Sequence, residues 1–162
     1  MRIVVTGGAG FIGSSFTNLC KRLGFDVMVV DKLTYASNMN TIPKVFILKK
    51  DICDVTKEDL GEYEYLVNFA AESHVDNSIK DGKPFVKSNI EGTYNLLELA
   101  RKNPNLKKFV QISTDEVYGD LDKLDIDASF EQNFLYPSSY YSATKASADM
   151  LVYSCNHTFG LP

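Results

Sequence analysis

An α/β domain built on a doubly wound, mostly parallel sheet is the fold class predicted here, and three observations predict it. Short β-branched runs alternate with longer segments of helical period, the first run ends in a glycine cluster, and the second run ends in an acid. At 162 residues, 44% of them apolar, the chain has material for one hydrophobic core and does not need cross-links to fold. A formal net charge of −4 without a dense basic run leaves no electrostatic footprint for nucleic acid or an anionic membrane. Three cysteines, Cys20, Cys53 and Cys155, form no CxxC pair and read as reduced, buried fillers. Met1 leads directly into an apolar strand, without a secretory leader or a membrane-length apolar run, so a cytoplasmic location is expected.

Residues 2–6 (RIVVT) are a continuous apolar run, the pattern of a strand covered on both faces. Phe11, Ile12, Phe16, Leu19 and Leu23 then recur at helical spacing until Gly24, and residues 26–30 (DVMVV) form a second strand ending at Asp31. A strand is expected near 45–48, a short helix near 56–61, a strand near 65–69, a long helix near 84–102 and a strand near 108–112. The stretch 120–139 is polar and irregular, and 141–159 reads as a helix. Right-handed crossovers between such strands place a ligand at their carboxyl ends. Gly160-Leu161-Pro162 is a turn signal where a sixth strand is due; either the sheet has five strands or the chain is a fragment.

Gly7, Gly10 and Gly13 fit GxxGxxG, and Gly8, Gly10 and Gly13 fit GxGxxG, between a strand and a helix. A β-carbon there would obstruct a tight turn and keep the backbone from a pyrophosphate resting on the helix N-terminus. Asp31 closes the second strand, where an acid accepts hydrogen bonds from an adenosine ribose and repels a 2′-phosphate, which selects NAD over NADP. Lys32 stands beside it. Asp51 and Ile52 follow the third strand and are within reach of an adenine edge.

Tyr141 and Lys145 are one helical turn apart, which puts phenol and ammonium on one face. A cation so placed favours phenolate, lowering a tyrosine pKa of about 10 toward working pH. Nine tyrosines make such spacing common by chance, so the pair gains weight only beside the glycine motif and the segment 113–119, STDEVYG. That segment emerges at the carboxyl edge of the sheet and carries Asp115 and Glu116, two acids whose pKa values a shared site can separate. One then serves as general acid and the other as general base, as an elimination of water requires. Ser113 and Thr114 either bond a sugar hydroxyl or cap the next turn. His74 and His157 are the only histidines, and no metal site is expected.

TGGAGFIGS at 6–14, DKLTYAS at 31–37, DICD at 51–54, AAESHVDNSI at 70–79, NIEGTYNLLE at 89–98, STDEVYG at 113–119 and YSATKASAD at 141–149 together cover nearly the whole chain. By these motifs the sequence resembles the extended short-chain dehydrogenase/reductase family and, within it, the dTDP-glucose 4,6-dehydratases. The resemblance implies a Rossmann fold over 1–162, with the last core strand and a C-terminal substrate domain absent from this chain. It implies that Tyr141, assisted by Lys145 and Thr114, deprotonates the sugar's 4-hydroxyl, that Glu116 removes the proton of carbon 5, and that Asp115 protonates the departing 6-hydroxyl. It assigns NAD to Gly7, Gly10, Phe11, Ile12, Gly13, Asp31, Lys32, Asp51, Ile52, Ala70, Ala71, Ser73 and Asn89, with Ser113, Tyr141 and Lys145 also at the cofactor. The substrate it implies is a nucleotide-sugar. A 4-epimerase, which needs no acid pair, and a non-catalytic NAD-binding module are the alternatives. Leu96, Leu97, Leu99, Leu151, Val152 and Phe159 spread apolar surface around two helices, and the resemblance makes this a homodimer interface.

Overall fold

The computed structural model describes residues 1–120 and 128–162. Five strands, β1 (Arg2–Thr6), β2 (Asp26–Asp31), β3 (Phe46–Lys49), β4 (Tyr65–Asn68) and β5 (Lys108–Gln111), form one sheet in the order β3-β2-β1-β4-β5. Every pairing is parallel, with Thr6 between Val30 and Asn68. The winding therefore reverses between β1 and β4, and the crevice of such a sheet opens at that reversal.

Alternation along β1 explains why its run is apolar throughout. Val4 joins Met28, Val30, Leu66, Leu96 and Phe109 in one core cluster, while Ile3 and Val5 join Val27, Val29, Val67 and Cys20 in the other. Each such side chain contributes about 1.5–3 kcal/mol on burial. Beneath the crevice lies a buried polar chain. The Thr6 hydroxyl donates to Asn68 Oδ1 (2.5 Å), and Asn68 Nδ2 donates to Gln111 Oε1 (2.8 Å).

Helix α1 (Phe11–Arg22) forms where its period predicts, but of the residues that mark the period only Phe16 packs against the core. Phe11 is 91% exposed and Ile12, Leu19 and Leu23 are also exposed; Gly13, Ser14, Thr17 and Cys20 are buried instead. Small residues let the helix close on the glycine turn, which bulkier side chains would hold off. Short α2 (Lys57–Leu60) is fixed by a capping box between Thr56 and Asp59. The single helix expected near 84–102 is α4 (Lys83–Phe85), a π turn (Val86–Glu91) and α5 (Gly92–Arg101) in succession. Helix α6 (Tyr140–Phe159) is capped by Ser139 and stops at Gly160, whose positive φ of 67° lets its N–H reach Asn156 O. Beyond it Leu161 is buried, and Phe109 N donates to Pro162 O (2.9 Å) alongside β5.

Three expectations are corrected. Helix α3 (Val75–Lys80) stands where no element was expected. Of the residues assigned to a second apolar face, Leu96 and Leu97 are buried, and Leu99, Leu151 and Val152 pack against the core; Phe159 remains exposed, with the Arg101 guanidinium over its ring. Cys20 and Cys155 are buried, but Cys53 is half-buried with its thiol on the Lys87 carbonyl (3.2 Å), and burial pushes its pKa up to about 12. Part of the irregular stretch 120–139 lies outside the described residues. Among those described, Tyr136 N donates to Val117 O (2.9 Å).

Candidate active site

The crevice at the reversal opens to solvent, with Gly7, Gly10, Asp31, Lys32, Asp51, Ile52, Ala70 and Ala71 among its walls. Gly7 has φ 67°, and a β-carbon on it would stand 2.6 Å from Ala70 N. At Gly13 a β-carbon would fall 2.2 Å from Gly7 O. The turn thus closes only with glycine at both places, and it leaves the first N–H groups of α1 without intrahelical acceptors. Asp31, 7% exposed, anchors the turn: Oδ2 accepts from Ala9 N (2.9 Å), and Oδ1 accepts from Leu33 N (2.8 Å) and the Ser37 hydroxyl (2.9 Å). Lys32 Nζ lies 2.8 Å from Glu72 Oε1 and 3.9 Å from Asp51 Oδ2. Burial works to raise the Asp51 carboxyl, but the Cys53 N–H and the Lys32 charge hold it below its ordinary value.

These walls suit a dinucleotide. Bare amides suit a diphosphate and a carboxylate suits a ribose, while Ile52, packed in the core, lines the crevice beside Asp51.

Beyond β5 the chain enters a 3₁₀ turn, Asp115–Tyr118, capped by the Thr114 hydroxyl, which accepts from Glu116 N (3.3 Å). Of the two roles open to Thr114, the cap is thus in place. Asp115 and Glu116 face a wide cleft that Ser113, Thr114, Asp149 and Tyr153 also line. Burial first, and the Asp115 charge second, hold the Glu116 carboxyl above its ordinary value, making its carboxylate a stronger base.

Tyr141 differs from expectation. Burial raises its pKa, the Thr114 hydroxyl opposes that rise, and the Glu116 and Asp115 charges add to it. Lys145 is not among the groups that shift the phenol; its Nζ donates to the Ile112 carbonyl. Lys145 is itself only 4% exposed, and burial lowers its pKa against the opposing charge of Asp149.

The predicted residues therefore fall into groups. Eight line the dinucleotide crevice, and Ser113, Thr114, Asp115 and Glu116 line the neighbouring cleft. Tyr141 and Lys145 stand on the first turns of α6 beside them. Phe11 and Ile12 turn their side chains to solvent. Ser73 lies half-buried after β4, outside the crevice walls. Asn89 is held by protein partners: Oδ1 accepts from Glu72 N (2.8 Å), and Nδ2 donates to Glu72 O (3.0 Å) and Thr144 Oγ1 (3.0 Å).

Two residues were missed. The Asp149 carboxylate accepts from the Ser113 hydroxyl and sits one turn beyond Lys145; its pKa is raised by burial. Its spacing, Tyr141-Lys145-Asp149, was the available signal. Glu72, the partner of Lys32, carries no spacing signal.

The fold and crevice are those of a nucleotide-binding α/β domain, with Tyr141 and Lys145 on the first turns of the helix beside it. Over residues 3–162 the chain matches the NAD dependent epimerase/dehydratase family, and it belongs to that family. It is 42% identical over 170 residues to the dTDP-glucose 4,6-dehydratase of Mycolicibacterium smegmatis, covering 99% of this chain and 50% of that protein. Among solved structures it resembles the dTDP-glucose 4,6-dehydratase DesIV of Streptomyces venezuelae, with NAD and TYD bound, at 37% identity and TM-score 0.89, covering 99% of this chain and 53% of that one. A UDP-galactose 4-epimerase superposes with TM-score 0.87 at 32% identity, over 99% and 53% of the two chains. The chain thus spans about half the length of the relatives it matches. Among the described residues, no helix is long and apolar enough to cross a membrane.

Proposed function

We propose that this chain is the NAD-binding and catalytic half of a nucleotide-sugar 4,6-dehydratase acting on dTDP-glucose. The observation that carries the reading is the placement of the Asp115-Glu116 pair beside Thr114 and Tyr141 at the carboxyl edge of the sheet. An epimerase has no use for two such acids.

Gly7, Gly10 and Gly13 would bring backbone amides to the diphosphate of NAD, Asp31 would meet its ribose, and Ile52 its base. Accepting and returning a hydride is the chemistry the dinucleotide supplies when bound. Tyr141 takes the proton of the 4-hydroxyl after losing its own, an ionisation that burial and the Glu116 and Asp115 charges oppose and the Thr114 hydroxyl favours. The resulting 4-keto group acidifies carbon 5. Glu116, its basicity raised by burial and by Asp115, removes that proton, and Asp115 hands one to the departing 6-hydroxyl. Lys145, buried, and Asp149, half-buried, hold the floor of the cleft on α6 through the Ile112 carbonyl and the Ser113 hydroxyl.

Incubation with NAD and dTDP-glucose, followed by the alkaline absorbance of the 4-keto-6-deoxy product, tests the reading. Product that disappears in Glu116→Gln and Tyr141→Phe supports it; NAD binding without product favours a binding module or a half that does not turn over by itself. We also propose a homodimer through α5 and α6, which leave Tyr94 and Phe159 exposed; a monomeric mass in sedimentation refutes it. With its three cysteines unpaired, we place the protein in the cytoplasm.

A further inference from the structure

Taking the crevice as a dinucleotide site, we propose that Glu72 makes it selective for NAD by holding the Lys32 ammonium away from the position of a 2′-phosphate. Asp31 is an incomplete guard. Three donors from Ala9, Leu33 and Ser37 already converge on its carboxylate and offset its charge. The next residue is a lysine on the same crevice wall, and a free ammonium there would attract the phosphate that Asp31 repels.

Lys32 is not free. Its Nζ is 2.8 Å from Glu72 Oε1, and Asp51 Oδ2 stands at 3.9 Å on its other side. Burial works against the ammonium, but the Glu72 bond and the two carboxylate charges outweigh it, and the Lys32 pKa ends above its ordinary value. Glu72 is well placed for this hold. Its side chain is 15% exposed against 33% for Lys32. Its backbone is gripped at both ends by Asn89, N–H at 2.8 Å and carbonyl at 3.0 Å. Asn89 leaves the helix within the π turn, and this contact is the use the structure makes of it.

Lys32 also borders a second groove, walled further by Asp51, Asp81, Lys83, Lys87 and Ser88. An ammonium released from Glu72 would join two other lysines there. Across the crevice and this groove, Asp31, Asp51, Asp81 and the Glu72 carboxylate balance Lys32, Lys50, Lys83 and Lys87, so neutralising Glu72 leaves one positive charge in excess for a dianion.

Calorimetric binding of NAD and NADP, measured separately, tests this. Wild type is expected to bind NAD and to bind NADP at least about 100-fold more weakly. Glu72→Gln should tighten NADP about tenfold while leaving NAD within about threefold, and high salt should erase the gain. Glu72→Asp, which keeps the charge, should stay near wild type, and Glu72→Gln with Lys32→Met should lose the gain. Thermal melts confirm that each variant is folded. An unchanged NADP-to-NAD ratio in Glu72→Gln, with wild type binding NAD, overturns this role for Glu72 and leaves the NAD reading standing. Folded wild type that binds neither dinucleotide overturns the reading of the crevice, and this proposal with it.

Discussion

Replacing Gly13 with alanine sets two known effects against each other. In a helix interior, alanine is favoured over glycine by about 1 kcal/mol, so on propensity alone the variant should be more stable. The added β-carbon, however, would stand 2.2 Å from Gly7 O, 2.9 Å from Gly7 C and 3.0 Å from Gly8 Cα. All three are backbone atoms that cannot rotate aside. Gly7 cannot retreat either, because the Ala70 backbone already abuts it. The remaining way out is for α1 to lift from the turn, an overpacking of the kind that costs about 1–3 kcal/mol or more. We expect a net loss of about 2 kcal/mol, and at about 2–4 °C per kcal/mol for a domain of this size the melting temperature falls about 4–8 °C. Gly10→Ala is the milder case, since the nearest atom to its β-carbon is Gly7 O at 3.3 Å. That contact is tight and Gly7 has little room to yield, so the variant should melt below wild type but above Gly13→Ala, and bind NAD more weakly. Melts by circular dichroism and titration calorimetry with NAD read the two effects. A Gly13→Ala protein that melts at or above wild type would refute the reasoning, since α1 would then not be seated against Gly7.

Burial holds Lys145 below 10.5, so between its folded pKa and that value the unfolded chain binds the proton more tightly and stability rises with pH. Lys145→Met lacks this contribution, and the unfolding free energy of wild type minus variant should grow with pH up to about 10.5; denaturant titrations giving a flat or falling difference contradict it. Asp115→Asn removes the second cause of the raised Glu116 pKa, so the Glu116 midpoint should move down, as followed by carboxyl carbon NMR; an unmoved midpoint means that burial alone sets it. Asn68→Ala strands the Thr6 hydroxyl and Gln111 Oε1 under the crevice and should cost about 1–3 kcal/mol, seen as a lower urea midpoint at constant slope.

Where a residue's only task is to fill the core, its place could be read from period. The run Arg2–Thr6 is apolar because neighbouring strands cover both its edges and helices cover both its faces, and no other element in a small domain asks for that pattern. The glycine spacing was legible for a similar reason, since two of its positions meet backbone at less than 3 Å and tolerate one residue type. Legibility failed where a contact joins distant segments by polar groups. Glu72 and Lys32 are 40 residues apart, Asn89 and Thr144 are 55 apart, and hydrogen bonds over such separations leave no periodic trace. The apolar marks on α1 misled, because Phe11 and Leu23 suit the helix's period while its inner face needs small side chains to seat the turn. The rise in the Tyr141 pKa was hidden too. Spacing places Lys145 one turn away but cannot show that its ammonium reaches back to the Ile112 carbonyl.

The buried polar groups also argue about why this edge of the sheet is built as it is. An ammonium such as that of Lys145, taken out of water, is costly, and an apolar side chain of similar volume in the place of a buried ion pair is often no worse for stability and sometimes better. The same holds for Asp149 beside it, whose carboxyl burial pushes toward its neutral form. Neither residue is what a sequence selected for folding alone would put beside Ala146 and Ala148, which are buried on the same helix. Thr6, Asp31, Asn68, Asn89 and Lys145 are all buried, and all lie at or just beyond the carboxyl ends of the strands or on the helices that close over them. The opposite edge meets solvent with ordinary ion pairs such as Lys107 with Glu64, which contribute little. Several departures from the most stable choice thus stand where the crevice opens, while Arg2 Nε and Tyr63 Oη, buried without a hydrogen-bond partner, stand at the opposite edge. The buried polar groups at the carboxyl ends, Thr6, Asp31 and Asn68 among them, are independent of any motif and stand beside the glycine turn.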